Sequence, residues 1–182
     1  MAGKQAFKKE VTLPRGNDND QMLRQAQVRA AGEHYVLARL TACGYIAGLT
    51  PENTKSVDII GTTELSDKSI QIEVKTRTIG RASDNGWHMN IKHESIVRPN
   101  LYYVFVAMAA PWTDDTQPET FIISSKKVAE ILRKSHSDWL NTPGKKGQKR
   151  RDTDMRRILP YYKDSSSIPK NWMSAYKDNW KF

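Results

Sequence analysis

Glu73-Val74-Lys75 sets a carboxylate and an amine two residues apart in a stretch that alternates strictly, with Ile70, Ile72 and Val74 apolar and Gln71, Glu73 and Lys75 polar. Period-two alternation marks a strand with one buried face, so Glu73 and Lys75 share the other face, about 6.6 Å apart along it. Alone, a Glu-x-Lys pair is more commonly a solvated charge pair worth under ~1 kcal/mol. Asp58 gives it weight. It interrupts Val57-Asp58-Ile59-Ile60, an apolar strand in which aspartate is disfavoured. If the two strands pair as a hairpin through 62–68, Asp58 and Glu73 stand ~5 Å apart across the sheet. Carboxylates that close repel unless a divalent cation lies between them. Hard oxygen ligands with room for water suit Mg²⁺, with Mn²⁺ as a substitute. A lysine beside them can position or deprotonate a water and stabilise a developing oxyanion. These are the parts that hydrolysis of a phosphodiester requires.

Such residues need elements to hold them. Residues 21–43 read as a long helix closed by Gly44, in a position suited to a C-cap. On that helix Ala26, Ala30, Leu37 and Leu40 fall on one stripe, with Glu33 near its centre. A carboxylate there costs several kcal/mol unless a cation or hydrogen bonds satisfy it, and a structural ion pair would serve as well as a functional one. Strands are expected over 56–61 and 69–77, over 101–109, apolar on both faces like a covered central strand, and over 120–124. Ser124 or Ser125 caps a further helix to about Lys134. Pro169 opens another, which sets Trp172, Tyr176 and Trp180 on one face for packing against the core. The order of elements predicts an α/β domain of layered α+β type.

The set Glu33, Asp58 and Glu73-Val74-Lys75, in this order, resembles the PD-(D/E)XK nuclease superfamily. The resemblance covers roughly 30–132. The stretch from Gly86-Trp87 to Asn100-Leu101-Tyr102-Tyr103-Val104 is similar to small, stand-alone members of the group. The resemblance implies a restriction-endonuclease-like αβββαβ core with a mixed central sheet flanked by helices. It implies that Asp58, Glu73 and the backbone carbonyl of Val74 hold the metal, that Lys75 serves the attacking water, and that Glu33 assists the metal. Val57 stands where the family often has proline, which is no ligand. Residues 78–100, where a family helix often lies, are polar and broken by glycine.

Composition sets the surroundings. The 182 residues carry 29 Lys and Arg against 20 Asp and Glu, a net charge of +9 that favours a polyanionic partner. Seven of the cations (Lys145, Lys146, Lys149, Arg150, Arg151, Arg156 and Arg157) lie in 145–157 with only two anions. With Pro143-Gly144 before it, this segment reads as a basic loop or arm that binds nucleic acid through phosphates. The chain is thus expected to divide into a polar arm over 1–20, the nuclease-like core over 21–140, the basic arm over 141–160, and an aromatic helical segment over 161–182.

A single cysteine, Cys43, permits no internal disulfide and no Cys-rich zinc site, and reads as a small buried residue. His88 and His93 are five apart without a cysteine partner, a poor zinc spacing; His88 lies where it could meet a phosphate. Glycine-rich phosphate loops, dinucleotide fingerprints and serine-hydrolase elbows are absent. No apolar run approaches the ~20 residues of a membrane span. The expected protein is cytoplasmic or nucleoid-associated. Its expected function is metal-dependent hydrolysis of nucleic acid, DNA before RNA, with a homodimer left open. The alternative is a nucleic-acid-binding or assembly protein that keeps the fold without cleaving.

Overall fold

The computed structural model describes residues 18–52, 54–64, 66–79, 86–109, 115–163 and 166–182. Of the polar arm expected over 1–20, residues 1–17 lie outside this set. The chain opens with helix α1 (Asp18–Ala42), then runs through strands β1 (Ile46–Leu49), β2 (Ile59–Thr63), β3 (Ser66–Thr78) and β4 (Trp87–Asn90). A 3₁₀ turn (Ile91–Glu94) leads to β5 (Leu101–Met108) and β6 (Glu119–Ser124). Helix α2 (Ser125–Asn141), strand β7 (Met155–Ile158) and a second 3₁₀ turn (Trp172–Tyr176) follow.

Among the described residues the main sheet has five strands in the order β1-β2-β3-β5-β6. It is mixed: β3 and β5 run parallel, and the other neighbours are antiparallel. The expected α/β layering is therefore present, with β5 as the covered central strand. The connection from β3 to β5, where the resemblance calls for a helix, carries β4 and the 3₁₀ turn. β4 pairs with β7 in a small second sheet.

The two faces of the main sheet bury different clusters. Ile59, Ile72, Val74, Val104 and Val106 pack with Val36 and Leu40 of α1. Tyr103, Phe105, Phe121 and Ile123 pack with Val128, Ile131 and Leu132 of α2 and with Trp87, Met89 and Ile158 of the small sheet. Ser124 caps α2, accepting from Lys127 N–H, and the helix runs past the expected Lys134 to Asn141.

α1 ends as its sequence predicts. Gly44 sits at φ +86°, Tyr45 N–H donates to Leu40 C=O and Gly44 N–H to Thr41 C=O, the paired bonds of a Schellman motif. Its buried face differs from expectation. Gly32, Val36 and Leu40 are buried at four-residue spacing, Ala26 and Ala30 are exposed, and Glu33 lies on the shoulder of the stripe. The cause is close approach: a Cβ on Gly32 would stand 1.8 Å from Thr76 Oγ1, so this glycine is where α1 meets β3. Cys43, expected to be buried, is exposed just beyond the helix.

Three strands were not expected. β1, β4 and β7 have four residues each, too short for periodicity to separate from loop. The aromatic tail packs on the core as expected but by a different route. In place of a helix with one aromatic face, a 3₁₀ turn sends Trp172 into the α2-side cluster, while Trp180 joins the α1-side cluster. No helix among the described residues is long and apolar enough to cross a membrane.

Candidate functional site

β2 and β3 form the expected hairpin, with a register shift between Gly61 and Thr63. Asp58 and Glu73 line one cleft and are electrostatic neighbours. Ile59 faces Ile72, and Asp58, in a bend just before β2, also donates its N–H to Ile72 C=O, so the ladder register ends there. The chain enters this position through Ser56 at φ +58°. Asp58 is then held from both sides: its N–H donates to Ile72 C=O at 2.7 Å, and its C=O accepts from Thr50 N–H at 2.9 Å. Its carboxylate turns along the sheet edge, where Oδ2 accepts the Val74 N–H at 2.6 Å. The side chain thereby takes over the ladder bond that β2 no longer supplies. A strand residue points its N–H and C=O to the same edge. The Val74 carbonyl is therefore directed to the side on which Asp58 stands.

Glu73 is 5% exposed. Its Oε1 accepts from the Lys75 ammonium, while Oε2 is buried and has no hydrogen-bond partner. A buried carboxylate oxygen left unpaired costs kilocalories. Burial and the facing Glu73 together push the Asp58 carboxyl above its ordinary range, against the pull of Val74 N–H, Lys75 and Arg29. The two acids thus act on one another electrostatically near the start of β2, and one oxygen of Glu73 is unsatisfied. A divalent cation fits this donor set: two carboxylates, one with an orphaned oxygen, and a peptide carbonyl on the same edge.

These groups belong to a cleft of about 790 Å³, whose lining includes Arg29, Lys55, Asp58, Glu73, Lys75 and Lys92. The expected Asp58, Glu73, Val74 and Lys75 all line it, as does the exposed His88. Glu33 does not. It lies on the α1 side of the sheet, paired with Arg29 at 3.9 Å, and its carboxyl is raised first by burial and then by Asp58. It is thus an electrostatic neighbour of Asp58. Among the described residues no three His, Cys, Asp or Glu side chains gather to hold a metal, so Glu33, Asp58 and Glu73 do not form one ligand set. α1 crosses the opposite face of β3 from Glu73, and this separates them.

The basic arm is corrected at several positions. Arg156 is 4% exposed in β7, ion-paired with Glu94, and donates to Met155 C=O at 3.1 Å. It is built into the fold and is not presented to a phosphate. The Arg150 guanidinium lies 4.7 Å over the Trp139 ring. Asp152 meets His136 Nε2 at 2.7 Å. Residues 142–154 are accordingly a strap laid on α2, with Lys145, Lys146, Lys149 and Arg151 exposed along it; Arg157 beyond it in β7 is exposed too.

Sequence reasoning missed the cleft cations Arg29, Lys55 and Lys92, which are scattered singly along the chain and meet only in the fold. It also missed the partner of His93, which it weighed only as a poor zinc ligand. This residue is buried, and its Nδ1 lies 2.8 Å from the hydroxyl of Tyr103, the residue that pairs with Glu73 across β3 and β5. Burial first, then Lys75 and Lys92, lowers its pKa to about 4, so the ring is neutral. No protein-family model, no curated protein and no solved structure matches the chain.

Proposed function

We propose that this protein is a metal-dependent nuclease that hydrolyses phosphodiester bonds of nucleic acid, DNA in the first instance, on a restriction-endonuclease-like core. The observation that carries the reading is the unpartnered Oε2 of Glu73, buried at the wall of a cleft that Asp58 also lines. A purely binding surface has no use for crowded acids facing a polyanion.

Asp58, Glu73 and the Val74 carbonyl would hold Mg²⁺ or Mn²⁺; Glu33, outside the cleft, would act only as an electrostatic neighbour of Asp58. Bound there, the ion supplies Lewis acidity toward the phosphate and lowers the pKa of water. The chain's own residues do the rest. Val74 N–H keeps the Asp58 carboxylate aimed along the edge. Lys75, now tied to Glu73 Oε1, is the group that can orient the attacking water and offset charge on the phosphoryl oxygens once Glu73 is otherwise engaged. Arg29, Lys55 and Lys92 draw the strand into the cleft.

The second reading, a nucleic-acid-binding or assembly protein without cleavage, draws on the same Lys75–Glu73 ion pair, which as it stands occupies the amine. Cleavage assays separate the two. The parent protein should nick or degrade DNA with Mg²⁺ or Mn²⁺ and stop with chelator. Asp58→Ala or Lys75→Ala should lose at least ~10²-fold in rate, the scale of removing one positioned charged group. A parent that binds DNA but never cuts it supports the second reading; variants that cut as fast as the parent place the activity elsewhere.

A further inference from the structure

A buried pair under the proposed site has no part in the mechanism above. Tyr103 is 0% exposed and His93 is 3% exposed, and their rings meet edge to face with centroids 5.6 Å apart. The Tyr103 hydroxyl and His93 Nδ1 share one hydrogen bond, so one of them donates. A tyrosine hydroxyl buried this deeply must place its own proton on an acceptor. Oε2 of Glu73, the residue paired with Tyr103 across β3 and β5, receives no hydrogen bond at all. The proton therefore goes to His93 Nδ1, which fixes the tautomer that carries its hydrogen on Nε2. His93 lines the same cleft as Asp58, Glu73 and Lys75. With Nδ1 engaged by Tyr103, Nε2–H is the ring donor that this cleft-lining residue has left for a ligand.

We infer that His93, held in its Nε2–H tautomer by Tyr103, is a substrate-contacting residue that donates a hydrogen bond to a non-bridging oxygen of the phosphodiester in the cleft. This rests on the nuclease reading for the identity of the ligand. The role differs from that of the surrounding cations. Arg29, Lys55 and Lys92 attract phosphates at any register, whereas a buried donor with one orientation accepts a phosphate in one place only. Tyr103 is a positioning residue, since it acts through the imidazole.

The test is imidazole ¹⁵N–¹H correlation spectroscopy on the full chain, free and titrated with a short DNA duplex in Ca²⁺. In the free protein the His93 ring should show the neutral Nε2–H tautomer. The duplex should then shift its Nε2 resonance while leaving that of His34, on the exposed side of α1, unmoved. In cleavage assays His93→Ala should lose roughly 10- to 100-fold, the scale of one hydrogen bond to a charged group. His93→Gln, which keeps an N–H donor, should recover part of that loss. Tyr103→Phe, the gentler core change, should mix the tautomers and lower the rate without altering duplex affinity at high salt.

A ring that ignores the duplex, in a protein whose cleavage still depends on Asp58 and Lys75, overturns the role of His93 and leaves the nuclease reading standing. A ring that shifts in a protein that never cleaves keeps the phosphate contact and overturns the catalytic reading. No shift and no cleavage together overturn both.

Discussion

Two regions of this molecule are rich in positive charge, and they are built in opposite ways. In the strap over 142–154 and the strand after it, cations are either exposed in a row or packed into the fold, as Arg156 is by Glu94 and as Arg150 is over Trp139, with its Nε buried and unpartnered. In the cleft, cations surround carboxylates whose own needs are not met: Glu73 keeps an unpartnered oxygen, and Asp58 is pushed toward protonation first by burial and then by Glu73. A count of charges along the chain points to the strap. Unsatisfied charge in a confined space points to the cleft. The second is the better guide to chemistry, because a solvated or neatly paired cation has already spent its interaction.

Breaking the fold's use of Arg156 should give the largest effect. Arg156→Ala leaves Glu94 half-buried without its partner, and should cost about 3 kcal/mol of stability, near the lower end for a broken buried ion pair. Urea denaturation checks it. A loss below ~0.5 kcal/mol would return Arg156 to the exposed class and make the strap and its strand one continuous binding surface.

The two regions should then part in their response to salt. Lys149→Ala with Arg151→Ala removes two phosphate contacts from the strap, and should flatten the slope of log K against log salt by about 2 on duplex DNA. Lys55→Ala with Lys92→Ala should flatten it by a similar amount, and should also lower the cleavage rate, which the strap pair should leave unchanged. Binding titrations at several salt concentrations measure the slopes. An unchanged slope in the strap pair would mean that this row of cations faces solvent or another protein.

Much of the site was legible because strands are simple. Strict alternation from Ile70 to Lys75 determined which residues share a face, and an aspartate within Val57–Ile60 marked the position, although Asp58 sits in a bend just before β2 and not inside the strand as expected. The hairpin that brings Asp58 to Glu73 followed from those two features. What was not legible came from tertiary contact. Glu33 seemed central to its stripe until Gly32 proved to be the contact with β3, which turns the glutamate to the shoulder. Arg156 looked like one more cation in a basic run, because a four-residue strand carries too little pattern to reveal its pairing with β4. His93 and Tyr103 are ten residues apart with no motif between them, and only the 3₁₀ turn after β4 folds one onto the other.

Divalent-ion binding to the full chain, with Asp58→Asn beside the parent, tests the central claim most directly, since it needs neither substrate nor turnover. Asparagine keeps an oxygen for the Val74 N–H and removes only the charge. The folded-state pKa of Asp58 is raised, so its contribution to stability is present at low pH and is lost as pH rises through that raised value. Asp58→Asn should therefore melt higher than the parent in chelator at pH 7, with the gap closing as pH falls and the parent's carboxyl protonates. Calorimetry with Mn²⁺ should show binding in the parent and none in the variant, and Mn²⁺ should raise the melting temperature of the parent alone. Equal Mn²⁺ affinity in the parent, Asp58→Asn and Glu73→Gln would contradict the claim that these two carboxylates hold the ion.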